Sequence, residues 1–373
     1  MNDSKIDILQ VLTLFESNGS YGGPVSVASQ FLGQFKKMGR SAKIVSGLKP
    51  SNSIPRCESD YVFFRVRPLI KKYPVSTLIG LTMFSQLYRN IRDAKIIHIH
   101  FARDLVSCYA ALVCIMLRRP FFVQTHGMIR PDTRILTRVI DFFIKLLLNR
   151  AQICFFLNKV EEADLLRLGI RDDNLRLLEN GIEIRRAMRE QPTKPTILFC
   201  SRLHPNKNVL FFIRLADFMI QSGNLFKFVI CGAEGSDLVK VVSEVSKYSS
   251  EQLCYIGSKN RSEVLDLLSS VDCLVLPSLY DPFPMVVLES LSCGTPVLIS
   301  EVCGHSSKVK EIDPLFVFSN SSIEDLSSQL CSILKKYQNE LTRDEIITKC
   351  ASLFSIESVT QSLLNVYDKT IES

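Results

Sequence analysis

The feature that most constrains this chain is a repeated alternation. Short apolar runs of strand length are separated by stretches with helical spacing, and the series occurs twice. In the first half the strand candidates are 6–14, 42–46, 61–65, 96–100, 121–125, 153–156 and 175–178, with helical patterns over 24–38, 105–117 and 133–149. The polar stretch from Arg185 to Pro195 then interrupts the pattern with two prolines, which reads as a linker. After it the series restarts, with strands over 196–200, 228–231, 253–256, 273–277, 297–299 and 315–318. Its helices fall at 209–220, 238–248, 262–269, 286–292 and 325–337. Strands alternating with helices predict parallel sheets covered on both faces, so the fold class is α/β with two Rossmann-like domains. Their expected limits are 1–185 and 186–355, and residues 356–373 form a terminal helix with apolar residues at helical spacing. Ligands of such sheets bind outside the carboxyl ends of the strands, here in a cleft between two domains.

Composition removes several classes. With 46% hydrophobic and 22% charged residues the chain is globular. Its longest apolar stretch, Cys108 to Leu117, falls short of the ~20 residues that a spanning helix needs. The start of the sequence carries no leader pattern, so a cytoplasmic location is expected. Twelve cysteines include no C-x-x-C pair, and most sit in apolar runs where a thiol packs as a small hydrophobe; no metal is expected. The net charge of +7 is uneven: residues 1–185 carry 27 Lys and Arg against 16 Asp and Glu, the remainder 18 against 22. A basic first half points to an anionic partner. No nucleic-acid motif accompanies it, so no nucleic-acid partner is expected and an anionic membrane surface comes first. The basic, apolar-rich stretch from Arg130 to Arg150 suits an interfacial helix; a buried helix with basic ends is the alternative.

Four segments carry candidate chemistry. Gly22 and Gly23 follow the first strand and precede a helix, where free backbone N–H groups attract anions. They do not form G-x-G-x-x-G, so a dinucleotide cofactor is not indicated. His126 follows the apolar strand 121–125, at the strand end where an imidazole meets ligand hydroxyls. Arg202 and Lys207 flank a strand-to-helix turn, a planar fork and a point charge that suit one diphosphate. In the last segment, strand 273–277 ends in the loop Ser278 to Pro284. The following helix carries Glu289 among apolar residues, and N–H groups near Met285 and Val286 open it. A lone carboxylate there needs a partner or a task; a ribose diol would occupy it. Asp281 on the approach loop is placed for sugar hydroxyls, and helix capping is its structural alternative.

The run from Asp281 through Phe283, Pro284 and Glu289 to Val297 resembles the E-x7-E region of the family 4 glycosyltransferases of GT-B fold, here as D-x7-E. Arg202 and Lys207 are similar to that family's G-R-L-x-x-x-K-G segment, and Asn180-Gly181-Ile182 to its N-G-[IV]-[DE] element. Gly22-Gly23 and His126-Gly127 occupy the places of its glycine loop and active-site histidine. The resemblance implies a retaining transferase that uses a nucleotide-diphosphate sugar as substrate and no cofactor. Arg202 and Lys207 would hold the diphosphate and Glu289 the ribose. Asp281 and the amides of Phe283, Met285 and Val286 would hold the sugar, and Tyr255, Gly257 and Ser258 would lie near the base. It further implies a terminal helix that returns to the first domain and a glycan or lipid-linked acceptor, as in surface polysaccharide assembly at the inner face of a membrane. Ser201, Asn208 and Pro284 depart from the family pattern, which leaves the donor sugar open. A sugar-nucleotide epimerase on the same fold, or a non-catalytic partner subunit, are the competing functions.

Overall fold

The computed structural model describes residues 6–15, 22–50, 59–73, 75–185, 194–319 and 322–372. Two compact units divide the chain. Among the described residues, one contains 6–15 and 22–181 together with 356–372, and the other everything from Ile182 to Ser355. The division therefore falls at Gly181, four residues before the sequence-based limit, and most of the expected linker (186–193) lies outside the described residues.

The first unit is built on strands β1 (Ile6–Phe15), β2 (Ala42–Leu48) and β3 (Tyr61–Arg65), then β6 (Ala94–His100), β7 (Phe121–Gln124), β8 (Ile153–Phe156) and β9 (Leu175–Leu177). All are parallel, in the order β3-β2-β1-β6-β7-β8-β9. A small antiparallel ribbon, β4 (Arg67–Pro68) with β5 (Leu78–Ile79), lies beside this sheet. The central strands are mostly apolar because helices cover both faces, and Ile8, Leu9, Val11, Ile97 and Ile99 are fully buried. Burying each such side chain contributes about 1.5–3 kcal/mol before entropy is counted. Two helices escaped the sequence reading, Met83–Asp93 and Lys159–Leu168. Both are short and charged, and the second is fixed by an Asn158 cap and a left-handed Gly169 stop.

The terminal helix Ile356–Glu372 belongs to this first unit. Tyr367 is fully buried, with its ring 4.6 Å from that of Phe122 and its hydroxyl 2.5 Å from His98 Nδ1. Asp368 accepts two hydrogen bonds from Arg40, at 3.1 and 3.2 Å. A Cβ at Gly181 would stand 2.5 Å from the Ile356 Cα, so the close approach of these two segments requires glycine there.

The second unit repeats the plan with β10 (Thr196–Cys200), β11 (Lys227–Cys231), β12 (Leu253–Tyr255), β13 (Cys273–Leu276), β14 (Val297–Ser300) and β15 (Val317–Phe318). Its parallel order is β12-β11-β10-β13-β14-β15. In both units the chain reverses its direction of sheet growth beside the first strand, between β1 and β6 and between β10 and β13. Crevices form at such switch points, outside the strands' carboxyl ends. The helices Ser306–Ile312 and Glu340–Phe354 are further elements that the sequence reading did not assign.

Candidate active site

The second unit gathers its charged residues at the β10–β13 switch point. After β10 the chain passes Arg202, which is exposed, and makes a short turn over Pro205–Lys207 that ends in the left-handed Asn208. A Cβ at Gly232 would lie 1.8 Å from the Ser201 carbonyl oxygen, so glycine lets the turn after β11 press against the Arg202 loop. The loop after β13 is tied to the same turn, because Leu279 N donates to Asn206 O at 2.8 Å. These ties bring Lys207 Nζ onto the Asp281 carboxylate. That carboxylate is 9% exposed and also accepts from the Phe283 backbone. Burial pushes the Asp281 carboxyl up, and Lys207 opposes the rise. Asp281 is therefore not a helix cap: helix Met285–Ser292 starts after Pro284 with no side-chain cap.

Glu289 is buried one turn inside that helix, and Arg261 Nε donates to its Oε1 at 3.3 Å. Burial raises the Glu289 carboxyl, with Arg261 acting against it. The sequence reading missed Arg261. It follows Asn260, whose capping box with Glu263 opens helix Arg261–Ser270. An arginine behind such a cap is ordinary, so nothing local marked it. Phe283 stacks on the buried imidazole of His305, with ring centroids 4.6 Å apart. The residues that the resemblance places near the base lie at the end of β12. Tyr255 donates its hydroxyl to Gly232 O at 3.0 Å, Gly257 takes φ +75° with open space at its Cβ position, and Ser258 is exposed.

In the first unit, Gly22 and Gly23 open the helix Gly22–Lys37, while the preceding turn lies outside the described residues. Open space surrounds a Cβ at Gly23, so packing does not demand glycine at that position. His126 follows β7 in the left-handed region, φ +53°, and Gly127 follows at +69°. The buried Glu161 holds this strained turn. It accepts from Thr125 Oγ1 at 2.5 Å, from Leu157 N at 2.7 Å and from the Gly127 amide.

His126 does not satisfy its own loop. Its Nε2 lies 2.7 Å from His100 Nδ1, and His100 Nε2 lies 3.1 Å from Gln10 Oε1. Gln10 gives its amide N–H to Ala28 O at 2.9 Å, which leaves its Oε1 to accept. His100 must then carry its proton on Nε2 and accept on Nδ1, so His126 donates through Nε2. The Nδ1 of His126 is left as a lone pair. Burial lowers the His126 imidazole to about 3, with His98 adding to the effect, and holds His100 well below its ordinary value. His126 is thus a neutral hydrogen-bond acceptor at physiological pH. The pair His98 and His100, two apart on β6 and therefore on one face of the strand, marked this cluster in the sequence without being used.

Two family descriptions match in tandem: "Glycosyltransferase Family 4" over residues 21–186 and "Glycosyl transferases group 1" over residues 181–349. This chain belongs to the family 4 glycosyltransferases of GT-B fold. A UDP-Gal:alpha-D-GlcNAc-diphosphoundecaprenol alpha-1,3-galactosyltransferase of Escherichia coli is 23% identical over 293 residues, 70% of this chain and 74% of that protein. An N,N'-diacetylbacillosaminyl-diphospho-undecaprenol alpha-1,3-N-acetylgalactosaminyltransferase of Campylobacter jejuni is 26% identical over 180 residues. That match spans 48% of this chain and 46% of the relative, and an uncharacterised glycosyltransferase of Methanocaldococcus jannaschii is spanned over 36% of its length at 31% identity. Among solved structures, an Anabaena HepE protein crystallised with UDP and glucose superposes with a TM-score of 0.73 at 16% identity, covering 98% of this chain and 100% of that one. The family 4 enzyme is thus a transferase of glycosyl groups on two Rossmann-like domains.

Proposed function

We propose that the enzyme transfers a sugar, with retention of anomeric configuration, from a nucleotide-diphosphate donor to a lipid-linked glycan acceptor at an anionic membrane surface. The observation that carries this reading is the arrangement in the second unit of Lys207 on Asp281, with Glu289 buried nearby in sequence and Arg202 exposed on the same loop as Lys207. A diphosphate arriving at that loop would draw Lys207 away from Asp281. The carboxylate would then turn to the donor's hydroxyls, and Glu289 would accept from the ribose diol. Lys207 and Arg202 stabilise the charge that develops on the departing diphosphate, so the chemistry is positioning and electrostatics with no protein nucleophile. His126 contributes an acceptor for a sugar hydroxyl, and its neutral state suits that task.

The lipid-linked acceptor is supported by the diphospho-undecaprenol substrates in the relatives' names and by the charge of the first half of the chain. It is supported again by the helix Ile135–Leu148. This is not the buried helix of the alternative reading: Ile135 is 81% exposed and Phe143 60%. Among the described residues no helix is long and apolar enough to cross a membrane, so contact would be peripheral. The test is incubation with a panel of nucleotide sugars, with and without a diphosphopolyprenyl glycan. Acceptor-dependent release of nucleoside diphosphate and a product of unchanged anomeric configuration are expected. Conversion of a donor in the absence of acceptor would make the enzyme an epimerase instead.

A further inference from the structure

The helix Ile135–Leu148 is turned against the ordinary rule for an amphipathic helix. Its buried side chains are Asp141, Ile144 and Leu148, and Arg103 holds Asp141 at 2.7 Å. Its apolar face looks outward, with Leu136 62% and Phe142 59% exposed. Monomeric proteins rarely leave so large a contiguous apolar patch without a partner. Beside this helix an open groove of about 480 Å³ runs between it and the helices Met83–Asp93 and Leu105–Met116. Met83, Phe84, Leu112, Phe143 and Leu146 line it, and no charged side chain does. Its volume is that of a small-ligand pocket.

Cations border the apolar face. Ile79 of the β4–β5 ribbon lines the groove, and the same ribbon's connection carries Lys71, Lys72 and Tyr73 at its exposed tip. The 135–148 helix, whose Phe143 and Leu146 form another wall of the groove, carries the exposed Arg138. The only polar groups among its lining residues are the Cys108 thiol and the Tyr109 hydroxyl, the latter given to Phe84 O at 3.4 Å, whereas the border offers positive charge to phosphate. An apolar groove and a basic border match the two halves of an anionic isoprenoid lipid.

We propose that this groove holds the hydrocarbon chain of a polyprenyl phosphate carrier, with its phosphate at the Lys71–Lys72–Arg138 border. The inference rests on the reading that the acceptor is lipid-linked and gives that acceptor a second, non-reacting binding site. Because the chain contains no tryptophan, Phe143→Trp installs a single fluorescent reporter on the groove wall. The variant is titrated with phosphatidylcholine vesicles containing undecaprenyl phosphate, and with vesicles of equal charge containing phosphatidylglycerol instead. A blue shift that saturates with undecaprenyl phosphate and exceeds the phosphatidylglycerol response is expected. Adding Leu112→Asn, at a position 45% exposed and therefore mild for folding, should raise the half-saturating concentration about tenfold.

Equal responses to the two vesicles would overturn the chain site and leave only a membrane-facing surface. No response to either would remove both. A shift that appears without vesicles and tracks dimer formation in sedimentation would make the groove an interface between copies. Nucleoside diphosphate release from nucleotide sugars, measured on the same samples, keeps the transferase reading separate: its loss with the lipid response intact would strike that reading alone.

Discussion

In the first unit, the groups between β1, β6 and β7 are Gln10, His98, His100 and His126, uncharged and almost sealed from water. In the second, the groups near β10 and β13 are Lys207, Asp281, Arg261 and Glu289, two cations set against two buried carboxylates. Both units use one parallel topology, and both place polar groups at its switch point. They differ in how burial is tolerated. Imidazoles adapt by staying neutral and linking ring to ring, which needs no counter-ion. Carboxylates in an apolar helix or loop resist neutralisation only if a cation stays within reach. The first unit therefore offers a fixed acceptor of hydrogen bonds, and the second a separable pair of charges that an anionic ligand can part.

The largest effect that would test this contrast is in the charged set. Arg202→Ala and Lys207→Ala should each cost transition-state stabilisation of roughly 2–4 kcal/mol in kcat/KM, the range for losing one donor to developing charge. Their stabilities should differ. Arg202 is exposed, so its loss should change the melting temperature little. Removal of Lys207 leaves the buried Asp281 carboxylate without its cation, a loss on the order of 3 kcal/mol in stability. Lys207→Ala combined with Asp281→Asn should recover the stability and not the activity. If the double variant melts as low as the single one, Lys207 stabilises through packing and the separable pair is the wrong description.

The neutral set can be broken by supplying a charge. Gln10→Glu would place a carboxylate 3.1 Å from His100 Nε2, which favours the imidazolium. A charged His100 donates from both nitrogens, so His126 would have to accept on Nε2 and present an N–H on Nδ1. Turnover should then fall as pH is lowered between 8 and 5, with a roughly tenfold loss at the acid end, the scale of about 1.4 kcal/mol for one hydrogen bond. In the parent enzyme His126 itself should stay neutral across that interval, because burial keeps it near 3. Parallel pH profiles for parent and variant would overturn the relay from Gln10 to His126.

The same contrast explains what could be read without the structure. Parallel α/β architecture was legible because buried strands such as Ile197–Phe199 and Leu274–Leu276 are continuous apolar runs punctuated by turn residues. Arg202, Lys207, Asp281 and Glu289 were legible because charge near a strand end, or inside an apolar helix, is locally anomalous. Arg261 was not, since an arginine at the start of a helix is ordinary and its partner lies 28 residues away. Gln10, His100 and Glu161 were missed for the same reason: each acts through a contact across 26 to 90 residues, and nothing in the local pattern distinguishes a relay from a buried polar residue. The outward face of helix Ile135–Leu148 was half legible, for its composition named the apolar stripe but not the side it would face.

The smallest expected effect concerns whether Glu289 is retained for ligand binding at the expense of stability. Its folded-state carboxyl is raised by burial, although Arg261 works against the rise. The folded state therefore binds the Glu289 proton more tightly than the unfolded state does. Stability from this group is greatest below the unfolded value, declines as pH climbs to the raised folded value, and stays reduced above it. The enzyme carries that loss in full only at a pH well above the raised folded value. Glu289→Gln keeps the shape and an oxygen for Arg261, and Arg261, with its side chain 42% exposed, can regain water for the rest of its charge. The variant should melt higher than the parent at pH 7.5, by roughly 2–4 °C for each kcal/mol recovered in a domain of this size. The gain should shrink as both proteins are acidified toward pH 4, where the parent's carboxyl is protonated as well. Nucleotide affinity should fall in the same variant, because a neutral amide accepts from a diol less strongly than a carboxylate. A variant that melts lower than the parent at pH 7.5 would mean that the Arg261–Glu289 pair stabilises the second unit outright. The buried carboxylate would then need no ligand to account for its presence.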